Sequence, residues 1–142
     1  RILVLNRDES KLGNKNSFEP SALLSEESIL EARQEILALH QSEDLETYIV
    51  NLVVATRDPG KADPSLTGQI LYGASPRACM GIDRAARACA WLKGKDFVGP
   101  EDIQEVAPDV LRHRLVLSFE AEADGITANE IIDKLLNSIG VP

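Results

Sequence analysis

The chain has 142 residues and a formal net charge of -8, with 44% hydrophobic but only 4% aromatic residues. That length suffices for one domain with its own core, and a core poor in aromatics must rest on Leu, Ile, Val and Ala, which leans towards helix. The acidic surface, with a pI near 4.7, repels phosphate backbones and argues against a general nucleic-acid module; no apolar run approaches the roughly 20 residues of a membrane span.

The opening residues, Arg1 to Leu12, carry Ile2, Leu3 and Leu5 and read as the tail of a helix or a strand cut from its context. With no initiator Met, the chain reads as an excerpt of something longer. Lys11 to Pro20 is polar and rich in Gly, Asn and Ser, the composition of a linker. Ser25 followed by Glu26 and Glu27 predicts a capped helix from about Ser25 to Leu39, with Ile29, Leu30, Ile36, Leu37 and Leu39 forming an apolar side. Ser42, Glu43 and Asp44 open a second helix, whose Leu45, Ile49, Leu52, Val53 and Thr56 recur at steps of three and four until about Arg57.

Pro59 to Tyr72 holds two prolines and two glycines and reads as a long connection. The third helix starts at Ser75-Pro76-Arg77, with Ser75 as cap and Pro76 at the first helical position, where no N–H is needed. Ala78, Ile82, Ala85, Cys89 and Leu92 form its expected buried stripe, and Gly94 ends it. On one helix Cys79 and Cys89 stand about 15 Å apart, beyond the roughly 7 Å that a disulfide spans. With no zinc pattern and only His40 and His113 available, a reducing, intracellular setting is the default.

Asp96 to Val98 reads as a short extended piece, with Phe97 and Val98 packing under the helix that follows. Gly99-Pro100-Glu101-Asp102 opens that fourth helix, with Ile103, Val106 and Ala107 facing inwards; Pro108 should break or restart it. Leu115 to Glu122 alternates as a short strand would. Thr127 to Glu130 is a capping box for a last helix bearing Ile131, Ile132, Leu135, Leu136 and Ile139. The sum is an all-α protein, a small helical bundle with at most a minor short strand pair.

The sequence holds no G-x-x-x-x-G-K-[ST] loop, no hydrophobic strand ending in paired carboxylates, and no Ser-His-Asp set. One stretch stands out: Gly73-Ala74-Ser75-Pro76-Arg77-Ala78 places an arginine in the first turn of a helix, where the dipole is positive and a cation is disfavoured. Free N–H groups at a helix start together with a guanidinium make a phosphate site; Arg84 projects from nearly the same side two turns on. The bland reading is a routine Ser-Pro start with a solvated arginine, and by motif specificity alone it is the better one. Arg112, His113 and Arg114 read as a helix C-terminus that favours cations, as does His40. Trp91 reads as a half-buried anchor.

As an ordered set, "GASPRA", "RAARACAWLKGKDFVGPEDI", "LRHRL", the closing "GITANEIIDKLL" and the earlier "YIVNLVVATRDP" resemble the C-terminal helical lid of the MoxR family of AAA+ ATPases, from about Leu24 to Pro142. The resemblance implies that residues 1–24 are the end of an ATPase core with its hinge, and residues 25–142 the lid. It implies that the phosphate-binding loop, magnesium carboxylates and arginine finger lie upstream in that core. Arg77 would then be the sensor-2 arginine, contacting the γ-phosphate of ATP and coupling hydrolysis to domain motion, with Gly73, Ala74, Ser75 and Pro76 shaping the contact. ATP and Mg belong to the full-length protein, and none is expected on this fragment, which should be inactive alone. The implied partners are its own N-terminal core, a homo-oligomeric ring (a hexamer by family habit) and a von Willebrand factor A-type protein, without nucleic acid or membrane insertion, in the cytoplasm. The Pro59 to Tyr72 connection departs from compact members by its length. The competing readings are a freestanding acidic helical interaction module and a DNA-binding helix-turn-helix, the latter disfavoured by charge.

Overall fold

The structure, a computed structural model, describes residues 24–142. The expectations for the segment before Leu24 lie outside the described residues. Contacts divide the chain at Ala32, and the buried core of the described residues lies in the unit Arg33–Pro142.

Seven α-helices and one pair of short strands make up the described residues. α1 (Glu26–Ala38) starts where Ser25 accepts the Ser28 N–H at 3.1 Å. Its apolar side is not buried: Ile29, Leu30 and Leu37 are all exposed. α2 (Glu43–Ala55) is capped by Ser42, whose hydroxyl accepts the Leu45 N–H at 3.3 Å, and it buries Leu45, Tyr48, Ile49, Leu52 and Val53.

The stretch expected as a long connection is instead structured in three short pieces. α3 (Pro59–Ala62) begins on Pro59, a 3-10 turn spans Pro64–Leu66, and β1 covers Ile70–Tyr72. The Asp63 carboxylate accepts the Ser65 N–H at 2.8 Å, and Leu66 is fully buried. Local capping and one apolar anchor therefore hold what composition alone marks as loop.

α4 (Arg77–Leu92) buries Ala78, Ile82, Ala86 and Ala90, a stripe at strict steps of four. The expected stripe is thus right in its first half and drifts by one residue in its second. Leu92 is exposed, because the helix turns it away just before Gly94, which takes φ +70°. The small alanines let α5 (Pro100–Leu111) approach, and α4 packs chiefly on α5 and also on α2. α5 runs through Pro108 and ends a turn later. The missing N–H leaves the Gln104 carbonyl without its partner four residues on, a single lost bond that a helix about to end tolerates.

A 3-10 turn at Arg112–Arg114 follows, then β2 (Val116–Leu117). The pair is antiparallel, Ile70 opposite Leu117 and Tyr72 opposite Val116, with an irregularity between. The strand expected to reach Glu122 stops at Leu117. Ser118 accepts the Ala121 N–H at 3.2 Å and caps α6 (Phe119–Ala123). α7 (Ala128–Ser138) has the predicted capping box, with Thr127 and Glu130 each accepting the other's backbone N–H, and it buries Ile131, Ile132 and Leu135. Phe97 is exposed, while Val98 is buried and donates its N–H to the His40 carbonyl at 2.9 Å. That bond, together with the Val98 side chain in the core, ties the α4–α5 loop down.

Candidate functional site

The Gly73 to Arg77 turn lies between β1 and α4. Ser75 does not act as a side-chain cap. It supplies its backbone carbonyl to the Ala78 N–H at 2.8 Å, and Pro76, already helical at φ -55°, passes its carbonyl to Cys79 at 3.1 Å. Pro76 carries no N–H to satisfy, so the start needs no hydroxyl. Ser75, Pro76 and Arg77 are exposed, Gly73 is half-buried and Ala74 is fully buried.

Ala74 is buried because the turn is fastened to the end of α2. The Thr56 hydroxyl accepts the Ala74 N–H at 2.9 Å and donates to the Val53 carbonyl at 2.7 Å. Arg57 Nε donates to the Ala74 carbonyl at 3.0 Å. Thr56 is itself fully buried. Gly73 sits so close that a Cβ would lie 2.6 Å from the Thr56 carbonyl carbon and 2.8 Å from the Arg57 nitrogen. Sequence reasoning singled out Gly73, Ala74, Ser75, Pro76 and Arg77, and read Thr56 as part of the α2 stripe and Arg57 as its end, without joining either to this turn. A hint existed: a Thr-Arg pair directly after an apolar helix stripe, where a helix end needs polar partners.

Arg77 and Arg84 are both exposed on α4, and neither takes part in the ion pairs of the described residues. Arg87, further along, is committed: its Nε meets Asp83 at 2.9 Å and it also bonds the Leu39 carbonyl. Arg112 pairs with Asp109 at 3.1 Å and donates to Asn129 at 2.7 Å, joining the end of α5 to the start of α7. Trp91 donates its indole N–H to Glu35 at 2.8 Å and is half-buried. These three have structural work within the domain.

A groove of about 290 Å³ between α2 and α4 is floored by Ile49, Val50 and Met80. Cys79 lines it, but burial pushes its thiol up and away from the reactive thiolate. Asp83 there is held by Arg87, so the groove presents no nucleophile paired with a base.

A second cluster was also missed. Asp102, fully buried at the start of α5, accepts the Gly99 N–H at 3.0 Å and meets Lys93 at 3.0 Å and Lys95 at 2.8 Å. Burial pushes this carboxyl up, but the bonds from Lys95, the Gly99 N–H and Lys93 outweigh it, and the group is held below the usual carboxylate range. Lys93 also meets Glu105 at 2.6 Å, and Lys95 meets Glu101. Every member is occupied by another, so the cluster is a staple between two helices. Among the described residues no group of three or more His, Cys, Asp or Glu is arranged to hold a metal ion. The residues that fit a nucleotide are basic: an exposed guanidinium at a helix start suits a phosphate.

The family model described as AAA lid domain matches residues 67–135. The chain is similar to Chaperone MoxR1 of Mycobacterium tuberculosis, 45% identical over 96 residues, covering 67% of this chain and 26% of that protein. It is 37% identical over 110 residues to Protein MoxR of Paracoccus denitrificans, covering 72% of this chain and 32% of that one. In three dimensions it resembles a crystal structure of a candidate ATPase from Cytophaga hutchinsonii with a TM-score of 0.84 at 39% identity, over 99% of this chain and 42% of that one. The chain therefore spans about a quarter to two fifths of the length of these relatives.

Proposed function

Because the chain is the helical lid region of a MoxR-family AAA+ ATPase, we propose that Arg77 is its nucleotide-sensing arginine, reaching the γ-phosphate of ATP held by the rest of the protein. The observation that carries this reading is the placement of Arg77: exposed, in the first turn of a 16-residue helix, on a backbone fastened to the neighbouring helix.

The chemistry follows from the side chain. A guanidinium is permanently charged and offers paired donors that match phosphate oxygens. At a helix start its charge is opposed by the dipole, and an arriving anion relieves both at once. A lid that grips the γ-phosphate changes its angle when that group is lost, so hydrolysis becomes domain motion. Gly73, Ala74, Ser75 and Pro76 shape the approach. Magnesium would supply charge neutralisation on the phosphates and would be held by residues outside those described here, which offer no such ligand set.

On this reading the full-length protein hydrolyses ATP as a chaperone-like remodelling machine in the cytoplasm. It works as a homo-oligomeric ring with a hexamer as its expected form, its lid docking on its own core and a von Willebrand factor A-type protein as the expected partner. The net charge of -8 on these 142 residues gives this region no general attraction for nucleic acid.

The test is Arg77→Ala in the full-length protein. ATP turnover should fall about tenfold or more, the scale of losing one charge-stabilising donor, while the unfolding temperature stays within a degree or two because the side chain is exposed. Unchanged turnover together with unchanged nucleotide affinity would remove Arg77 from this role.

A further inference from the structure

We propose that Thr56 and Arg57 are positioning residues for Arg77, clamping the backbone of the Gly73–Ala74 turn to the end of α2 so that the arginine is held at a fixed place. This rests on the reading of Arg77 as the phosphate-sensing group.

Both backbone polar groups of Ala74 are taken by neighbours 17 and 18 positions earlier in the chain: its carbonyl by Arg57 Nε and its N–H by the Thr56 hydroxyl. The Thr56 hydroxyl is fixed in turn, since its own hydrogen goes to the Val53 carbonyl at 2.7 Å. The segment through α3, the 3-10 turn and β1 is therefore a closed excursion that leaves the end of α2 and returns to it. From Ala74 to Arg77 there is little slack. Pro76 fixes φ at -55°, and the Ala78 and Cys79 N–H groups bond straight back to Ser75 and Pro76. Nothing in this chain of contacts touches the Arg77 side chain. The clamp sets the origin of the side chain and leaves its guanidinium exposed.

Holding the origin matters because a misplaced charge loses most of its value to a transition state; a shift of 1 Å from a remote change costs up to about a hundredfold. The clamp also makes α2 and α4 respond to the phosphate as one unit, since the bond network runs from Val53 through Thr56 to Ala74.

The experiment measures steady-state ATP hydrolysis by the full-length protein carrying Thr56→Val, Thr56→Ser, Arg57→Met, Arg77→Ala, or Thr56→Val with Arg77→Ala. Valine keeps the shape of threonine and removes the hydroxyl; serine restores it. Methionine keeps an aliphatic stem at an exposed position and removes the Nε donor, so it tests the clamp even where valine disturbs folding. Thr56→Val and Arg57→Met should each lower kcat about three- to tenfold with KM little changed, and Thr56→Ser should stay within about twofold of the parent. In the Arg77→Ala background, Thr56→Val should cost nothing more, because a residue acting through Arg77 has nothing left to position. A full additional loss in the double variant, or ordinary kcat in both Thr56→Val and Arg57→Met, overturns the clamp while leaving the sensing role of Arg77 standing. Ordinary turnover together with ordinary nucleotide affinity in Arg77→Ala overturns both.

Discussion

Gly73 shows how one position can be decided by its neighbours' backbone. Its φ is not in the left-handed region, so conformational freedom is not the reason for glycine here. The reason is space: the Cβ of any other residue would press on the Thr56 carbonyl carbon and the Arg57 nitrogen, and neither is the free end of a flexible chain. Gly73→Ala should therefore destabilise the chain by about 1–3 kcal/mol, as overpacking against unyielding atoms does. Urea unfolding followed by circular dichroism would read this as a lower midpoint at unchanged slope; a midpoint equal to the parent's would mean that the turn can lift off α2 at no cost. The sequence marks Gly73 and Arg77 through their place before a Ser-Pro helix start. It marks Thr56 only as one more residue of the α2 stripe and not as a partner of that turn, since its hydroxyl bonds a carbonyl three residues back and an amide 18 positions ahead. A contact closed over such a span leaves no periodic trace in the chain. The same holds for Asp102, which reads as an ordinary acidic residue of a helix start and in the fold collects two lysines.

Elements with local instructions were legible, and those decided by competition were not. The capping box at Thr127 and the Ser42 cap are written within four residues, and both form as expected. Leu115 to Glu122 carries two conflicting signals: alternation suited to a strand, and Ser118 followed by Glu120 and Glu122, suited to a helix start. The cap wins because β1 offers only three residues to pair with. α5 shows what a well-placed cap contributes. Asp102 closes its first turn by accepting the Gly99 N–H and holds Lys93 and Lys95 from the end of α4, across the most extensive helix contact in the fold. Asp102→Ala removes the cap and the ion pairs together. Both lysines are partly exposed and can rehydrate, so the loss should fall below that for a fully buried pair, at about 2–3 kcal/mol. Thermal unfolding should show it, and a loss well under 1 kcal/mol would mean that the staple contributes little.

Across the described residues these ion pairs and the capping bonds of Asp63 and Glu130 set how stability responds to pH. Asp63, Glu101, Asp102, Glu105 and Glu130 are all held below the usual carboxylate range. The Ser65 N–H acts on Asp63, Lys95 on Glu101, Lys93 on Glu105 and the Thr127 N–H on Glu130, while at Asp102 the bonds from Lys95, Gly99 and Lys93 overcome burial. Unfolded, these groups titrate at about 3.9–4.3. As pH falls through that range the unfolded chain takes up protons that the native chain refuses, and stability is lost progressively as pH falls on through the native values. At the other limit Lys61, Lys93 and Lys95 are held above the usual lysine range, by Asp58, by Glu105 and by Asp102 respectively as the largest cause. Their contribution is complete below the unfolded value of about 10.4 and is lost as pH rises beyond it. The urea midpoint of the chain should therefore be nearly flat between about pH 5 and pH 8, fall on the acid side, and fall on the alkaline side first as unfolding frees the half-buried Cys79 thiol to ionise above about 8.5 and then with the lysines. Asp102→Asn isolates the centre of the acid limb. The amide can still accept the Gly99 N–H but has no charge to lose, so the variant should be less stable at neutral pH and fall less steeply below about pH 4. Parallel acid limbs in parent and variant would show that the other carboxylates, and not the buried one, carry the acid sensitivity of this fold.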